Sequence, residues 1–233
     1  MSAPLYQVVI DEVVERIASG VWRPGAMLPS ESQLGAELGV SQGTARKALM
    51  ALESRGLVQR TQGRGTFVTL RTPESALFQF FRLRRPDGSQ ARPELLREDV
   101  RRRRARRDER ARLHGEPAQI VEVERVRALD GRASLVERSV VPALLFPGLD
   151  GQTPLPNPLY VHYQQSFGII IVRADERLRA AAAEPGTAAA LGVAPGTPLL
   201  SVERLSFDVQ DRPVEWRRSV CLTTEMSYQI SLR

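Results

Sequence analysis

Cysteine is all but absent: Cys221 is the only one, so no intrachain disulfide can form. Histidine is nearly as scarce. His114 and His162 stand far apart with no metal-ligand spacing around them, so no structural zinc or other metal site is expected. No run of about 20 apolar residues occurs, so no membrane span is expected. The N-terminus has no basic segment followed by an apolar run, so no secretion signal is expected and the chain is assigned to the cytoplasm. Gly63 and Gly65 have no Lys-Ser/Thr pair after them and no strand-to-helix context, which excludes a nucleotide-binding loop. Neither a cofactor nor a set of catalytic residues is expected. His162, beside Tyr160 and Tyr163, is read as an ordinary helix or core residue, because no triad-like Ser or Asp stands near it.

What is present is positive charge. The chain of 233 residues carries a formal net charge of +6, which suits an anionic partner. Residues 1–70 hold seven basic against six acidic side chains, so placement matters more than total. Much of the excess lies in Arg97 to Arg112, where nine arginines face Glu98, Asp99, Asp108 and Glu109. No aromatic side chains interleave them for base stacking, so the run is read as a solvated, ion-paired surface rather than a nucleic-acid groove. A break near Thr69 to Ser75, where Pro73 follows a hairpin pattern, divides the chain into 1–70, a linker at 71–75, and 76–233.

The first part has a winged helix-turn-helix pattern. Leu5, Val8, Val9, Val13 and Ile17 recur at helical spacing and predict a scaffolding helix ending at Ser19-Gly20. Ser30 with Gln33 forms a capping box for a second helix stopped by Gly39. Ser41 then caps a third helix running to Arg55, closed by Gly56. Two helices joined by so short a turn have the DNA-reading geometry. Leu57 to Arg60 and Thr66 to Leu70 read as strands around Gln62-Gly63-Arg64-Gly65, a wing tipped by arginine. Ala45, Ala48, Leu49 and Leu52 form the inward stripe of the third helix. Its first turns therefore present Ser41, Gln42, Thr44, Arg46 and Lys47 to a major groove. The hydroxyls of Ser41 and Thr44 suit phosphate oxygens, Gln42 an adenine edge and Arg46 a guanine or phosphate, while Arg64 beside Gly65 reaches the adjacent minor groove.

These residues carry a resemblance. Pro4-Leu5-Tyr6-Gln7, Gly20-Val21-Trp22-Arg23-Pro24-Gly25, Leu28-Pro29-Ser30-Glu31, Thr44-Ala45-Arg46 and Gly63-Arg64-Gly65-Thr66-Phe67-Val68 together resemble the N-terminal domain of GntR-family bacterial transcription regulators. Members often carry Arg where Ser32 and Gln42 stand here, which implies an operator that differs from the commonest ones at those positions. Double-stranded DNA is the implied partner, read as an inverted repeat by a homodimer that sets two recognition helices ~34–36 Å apart.

The second part repeats itself. Leu113-His114-Gly115-Glu116-Pro117 leads through Ile120–Arg127 and Asp130-Gly131-Arg132 to Leu135-Val136-Glu137. Leu191-Gly192-Val193-Ala194-Pro195-Gly196 leads likewise through Leu199–Ser206 and Asp211-Arg212 to Pro213-Val214-Glu215. Each copy reads as helix end, turn, strand, polar hairpin and strand. The pair predicts an antiparallel sheet with helices over 109–113 and 184–191 covering one face, an α+β fold. Arg125 and Arg127, two apart on a strand, project from one face, and a guanidinium pair matches carboxylate or phosphate. Glu137 follows on the partner strand. The alternative for these three is an internal ion-pair network. Trp216 is assigned to packing in preference to stacking on a ligand.

Phe146-Pro147-Gly148-Leu149, Pro158-Leu159-Tyr160, Phe167-Gly168 and Pro195-Gly196-Thr197-Pro198 make this part similar to the UTRA domain of HutC-type GntR regulators, whose fold resembles chorismate lyase. The resemblance implies a small polar or anionic effector met by Arg125, Arg127, Glu137, Asn157 and Glu215. Cys221 departs from the family, which usually has Tyr there. The function expected is a DNA-binding regulator, usually a repressor, controlled by that effector. A DNA-tethered enzyme of lyase-like fold and an effector-free nucleoid binder are the alternatives weighed.

Overall fold

A computed structural model describes residues 4–70, 72 and 81–230. Apart from Thr72, the linker expected at 71–75 lies outside the described residues, as does the start of the second part at 76–80.

Three helices and a hairpin come first: α1 Leu5–Ala18, α2 Glu31–Glu37, α3 Gln42–Ser54, β1 Val58–Thr61 and β2 Gly65–Val68. Both predicted caps form. The Ser30 side chain accepts from the Gln33 backbone while the Gln33 side chain accepts from the Ser30 backbone, and Ser41 Oγ accepts from Thr44 N at 3.1 Å. Gly39 and Gly56 take positive φ of 66° and 69°, the backbone that ends each helix. Ala45, Ala48, Leu49 and Leu52 are fully buried. The stripe on α1 differs from expectation. Leu5 and Val8 are 62% and 49% exposed, while Ile10 is buried beside Val9, Val13 and Ile17. At about 100° per residue the buried four centre on one direction from which Val8 points roughly 150° away, with Leu5 on the flank. Val8 matched the spacing only through Leu5.

The rest is one six-stranded antiparallel sheet in the order β4-β5-β6-β9-β8-β7. Its strands are β4 Glu94–Arg104, β5 Gln119–Leu129, β6 Arg132–Pro142, β7 Ile171–Ala182, β8 Pro198–Asp208 and β9 Pro213–Cys221. The order is palindromic, as a duplicated half requires: β4-β5-β6 on one side answers β7-β8-β9 on the other. Helices α4 Arg107–Arg112 and α6 Pro185–Leu191 lead the two copies and pack on one face, through Leu113, Ile120, Val140 and Trp216 and through Ala188, Leu191 and Leu199. On the opposite face α5, Leu159–Phe167, covers Val121, Val123 and Val214 with Tyr160 and Tyr163. A two-residue strand β3, Leu83–Arg84, pairs with β10, Ser227–Tyr228, over Leu135 and Cys221.

The arginine run forms the ion-paired surface expected of it. Arg101 and Arg103 on β4 and Arg138 on β6 converge on Glu122, which is fully buried, and Arg103 and Arg138 also hold the buried Glu109 of α4.

The two parts touch. Ile170 and Val209 complete the hydrophobic cluster built by α1, α2 and α3. Gln210 donates to Glu15 at 3.0 Å, and Gln164 to the Thr69 carbonyl at 3.0 Å.

Candidate nucleic-acid interface and ligand pocket

The N-terminal end of α3 and the wing tip lie on the surface. Ser41, Gln42, Arg46, Lys47, Arg64 and Gly65 are exposed and Thr44 is half-exposed. Ser41 and Thr44 share a hydroxyl contact of 2.9 Å, so part of their capacity serves the helix cap. Arg46 is anchored by a carboxylate. Its Nε donates to Glu31 at 2.8 Å, and Arg60 approaches the same carboxylate at 3.3 Å. A carboxylate at α2 thus orients one edge of the guanidinium and leaves the other outward. Lys47, the only lysine of the chain, sets its ammonium 4.2 Å above the Tyr6 ring. Arg64 caps the hairpin turn, with its N–H on the Thr61 carbonyl at 3.0 Å, between Gly63 at φ 72° and Gly65 at φ 122°. A groove runs between this wing and the start of α2, lined by Pro29, Ser32, Gln42 and Arg64. Within α2, Gly35 packs against the turn to α3: a Cβ there would stand 2.9 Å from the Val40 carbonyl oxygen.

The second site is a pocket on the α5 face of the sheet. Its walls surround about 840 Å³, part of it open to solvent. Arg125, Arg127, Glu137 and Asn157 line it, together with Arg204, Arg217, Ser139, Ser219 and Tyr160. Phe81, Leu83 and Tyr228, carried on and beside β3 and β10, lie across it.

Arg125 is held by Glu98 at 2.6 Å and by the Leu155 carbonyl at 3.0 Å; burial pulls its basicity down against the pull of Glu98. Arg127 bonds Glu137 at 2.9 Å and the Asn157 side-chain oxygen at 2.6 Å, while the Asn157 amide donates to Pro93 at 2.9 Å. Asn157 therefore orients Arg127, and its own amide is occupied. Arg217 bonds Glu215 at 2.7 Å and Ser139 at 2.9 Å, and Arg204 bonds Glu176 at 2.6 Å. Burial would raise the Glu137 carboxyl, but Arg127 and Arg217 hold it down at about 2. Glu215, fully buried, accepts from Tyr160 at 2.6 Å, and burial together with that carboxylate raises the Tyr160 phenol. Burial pushes the Cys221 thiol up to about 12, so at neutral pH it is an inert wall atom.

Glu215 was expected as a direct ligand group, yet it sits behind Tyr160 and Arg217 and does not line the pocket. Arg204, Arg217, Glu98 and Glu176 went unnoticed in the sequence. The duplication was the signal for Arg204, which it maps onto Arg125; Arg217, opposite a serine in the other copy, and the two glutamates, outside the repeat, had none. Trp216 points to the opposite face, between Arg112 and Arg218, with its Nε1 on Glu203 at 2.9 Å; packing is its role. A serine does lie near His162, contrary to expectation: Ser166 Oγ is 3.1 Å from its Nδ1, one helical turn on. Burial lowers the basicity of His162, and among the described residues no carboxylate orients the pair.

Comparison with known proteins matches both parts. Residues 5–68 match the family described as bacterial regulatory proteins, gntR family, and residues 91–227 match the UTRA domain. The chain is 29% identical over 221 residues to the HTH-type transcriptional repressor NagR of Bacillus subtilis, covering 93% of this chain and 90% of NagR. It is 47% identical over 77 residues to the histidine utilization repressor of Klebsiella aerogenes, covering 33% of this chain and 32% of that one. A crystallised ligand-binding domain from Bordetella bronchiseptica, described as that of a GntR-family regulator, aligns with a TM-score of 0.61 at 35% identity, over 66% of this chain and 98% of its own. The chain belongs to the GntR family of transcription regulators, in the HutC-type branch that carries a UTRA domain.

Proposed function

We propose that this regulator is a cytoplasmic repressor without enzymatic activity. As a homodimer, it would set two α3 helices into successive major grooves of an inverted repeat. Ser41, Gln42, Thr44, Arg46 and Lys47 face the bases and phosphates, and Arg64 with Gly65 carries the wing to the minor groove. Residues 1–70 form the reading domain, 71–75 the linker and 76–233 the effector-binding and dimerising domain, with the hinge at Leu70 to Ser75. A small polar or anionic metabolite in the pocket, met by Arg125, Arg127, Glu137 and Asn157 with Glu215 behind them, changes operator affinity. It does so by favouring one arrangement of the two parts, a coupling of ~1–3 kcal/mol.

The observation that carries this reading is the pocket's cover. Phe81 follows the linker after a gap of only a few residues in sequence and lies over the pocket beside Leu83 and Tyr228. A ligand that moves that cover pulls on the hinge. The test is fluorescence anisotropy of a labelled operator against a metabolite panel. A compound that shifts affinity in the intact chain, and fails to in Arg127→Ala, supports the proposal. No shift from any compound, with no small molecule carried through purification, removes the effector from it.

A further inference from the structure

The pocket's buried charges cancel. Arg125, Arg127, Arg204 and Arg217 are paired with Glu98, Glu137, Glu176 and Glu215 respectively. Among the described residues, the one further charged residue on its wall is Arg82, which is half-buried and so reached by screening solvent. A multiply charged anion entering here would surrender its hydration without meeting a net opposite charge, which is costly in a buried site.

Two polar atoms of residues that line the pocket still have capacity, and they belong to one ion pair. Arg127 Nε–H is buried and, among the described residues, bonds to nothing. Among the described residues Glu137 Oε1 has only Ser219 Oγ at 3.5 Å and Arg217 at 3.7 Å, both longer than a good hydrogen bond. The same two side chains are joined through their other atoms, Arg127 Nη1 to Glu137 Oε2 at 2.9 Å. A cation with an unsatisfied donor is thus paired with an anion that has an under-used acceptor, in a pocket where the buried charges of the described residues balance.

Taking the pocket as the effector site proposed above, we infer that its ligand is an α-amino acid, bound as the zwitterion. Its carboxylate accepts from Arg127 Nε, and its ammonium donates to Glu137 Oε1. Both ligand charges meet a partner and the pocket's balance is kept. Phosphates of sugars without an amino group, and dicarboxylates, lack the second half of this match. The Arg127 guanidinium is fixed by Asn157 and Glu137 before the ligand arrives, so little ordering remains to be done on binding.

The experiment is calorimetric titration of the full chain with each of the twenty L-amino acids up to about 10 mM, with glucose 6-phosphate, succinate and cadaverine as probes of the other charge types. At least one amino acid is expected to bind. Its deaminated acid and its decarboxylated amine should each bind weaker by on the order of tenfold or more. Arg127→Lys keeps the charge and removes the Nε–H, and it should cost a similar factor. Glu137→Gln should weaken the amino acid and admit glucose 6-phosphate, because the pocket then carries a net positive charge. Circular dichroism melts of both variants establish that they are folded, and Arg127→Lys stands as the test if Glu137→Gln is not. Binding of glucose 6-phosphate or succinate by the unaltered chain, lost in Arg127→Lys, with no amino acid bound, overturns the zwitterion and leaves the pocket as the effector site. An amino acid that binds equally well to both variants overturns the pocket itself. No amino acid bound at all overturns the zwitterion.

Discussion

Arg125 and Arg204 occupy equivalent places in the two halves of the sheet, each ion-paired with a glutamate directly opposite on the neighbouring edge strand: Glu98 on β4 for the one, Glu176 on β7 for the other. The halves have diverged at the next positions. Arg127 corresponds to Ser206, and Arg217 to Ser139, whose hydroxyl it now bonds. Repetition built the frame, and one unmatched arginine from each half broke its symmetry. Because the Glu98 side chain is 4% exposed and that of Glu176 16%, the two pairs should not be equivalent in stability. Arg125→Leu strands a buried carboxylate and is expected to cost about 3–5 kcal/mol. Arg204→Leu should cost less, since water reaches its partner. Urea midpoints of the two variants measure the difference, and equal losses would contradict it.

At the reading surface, Arg46→Ala is expected to weaken operator binding by at least about tenfold, the scale of one good base or phosphate contact. A gel shift decides it, and unchanged affinity would remove α3 from the major groove.

Glu31 gives a subtler outcome. Its carboxylate orients Arg46 and Arg60 but also places a negative charge beside the phosphates. Glu31→Gln should raise affinity for random duplex by a few-fold while lowering the ratio of operator to random binding. Titrations against both duplexes at several salt concentrations separate the two effects. A rise in that ratio would mean that Glu31 does not position Arg46.

How much of this was legible in the sequence depended on how local the cause was. The caps at Ser30 and Ser41, the stops at Gly39 and Gly56 and the wing at Gly63 to Gly65 are set by a few neighbouring residues, and they stand where the sequence places them. The palindromic sheet followed from the repeat. Leu5 and Val8 misled because helical spacing names a stripe without saying which of two overlapping stripes meets α3. The partners of the pocket arginines were hidden for a different reason. Glu98 and Glu176 lie on edge strands outside the repeated segment, and only strand register brings them opposite Arg125 and Arg204.

Gly35 should resist substitution although its φ is ordinary for a helix. A methyl group there meets the Val40 carbonyl at 2.9 Å and the Gln42 amide nitrogen at 3.4 Å, so Gly35→Ala must push the turn away from α2. The expected loss is about 1–3 kcal/mol, typical of overpacking. Operator affinity should fall with it, because the same turn sets the entry angle of α3. Chemical denaturation alongside anisotropy tests both, and an Ala variant as stable as the parent would show that the turn yields freely.

Glu122 sets the acid limit of the fold. Burial alone would raise its carboxyl, yet hydrogen bonds from Arg103, Arg101 and Arg138 bring it down to about 2, and Glu109 beside it is lowered by the same balance. In the unfolded chain a glutamate titrates near about 4.3. A folded value below the unfolded one means that the unfolded state binds protons first as pH falls. The stabilisation is therefore complete above about 4.3 and is lost as pH drops toward about 2. Melting temperatures should be level with respect to this group from pH 8 to about 5 and fall steeply below about 4.3. Glu122→Gln removes the central charge from under three arginines. It should lower stability at neutral pH by about 3–5 kcal/mol and flatten the acid slope, because the group that titrates is gone. A variant that melts lower at pH 7 but keeps the full acid slope would move the cause of acid unfolding to Glu137, the other buried carboxylate held at about 2.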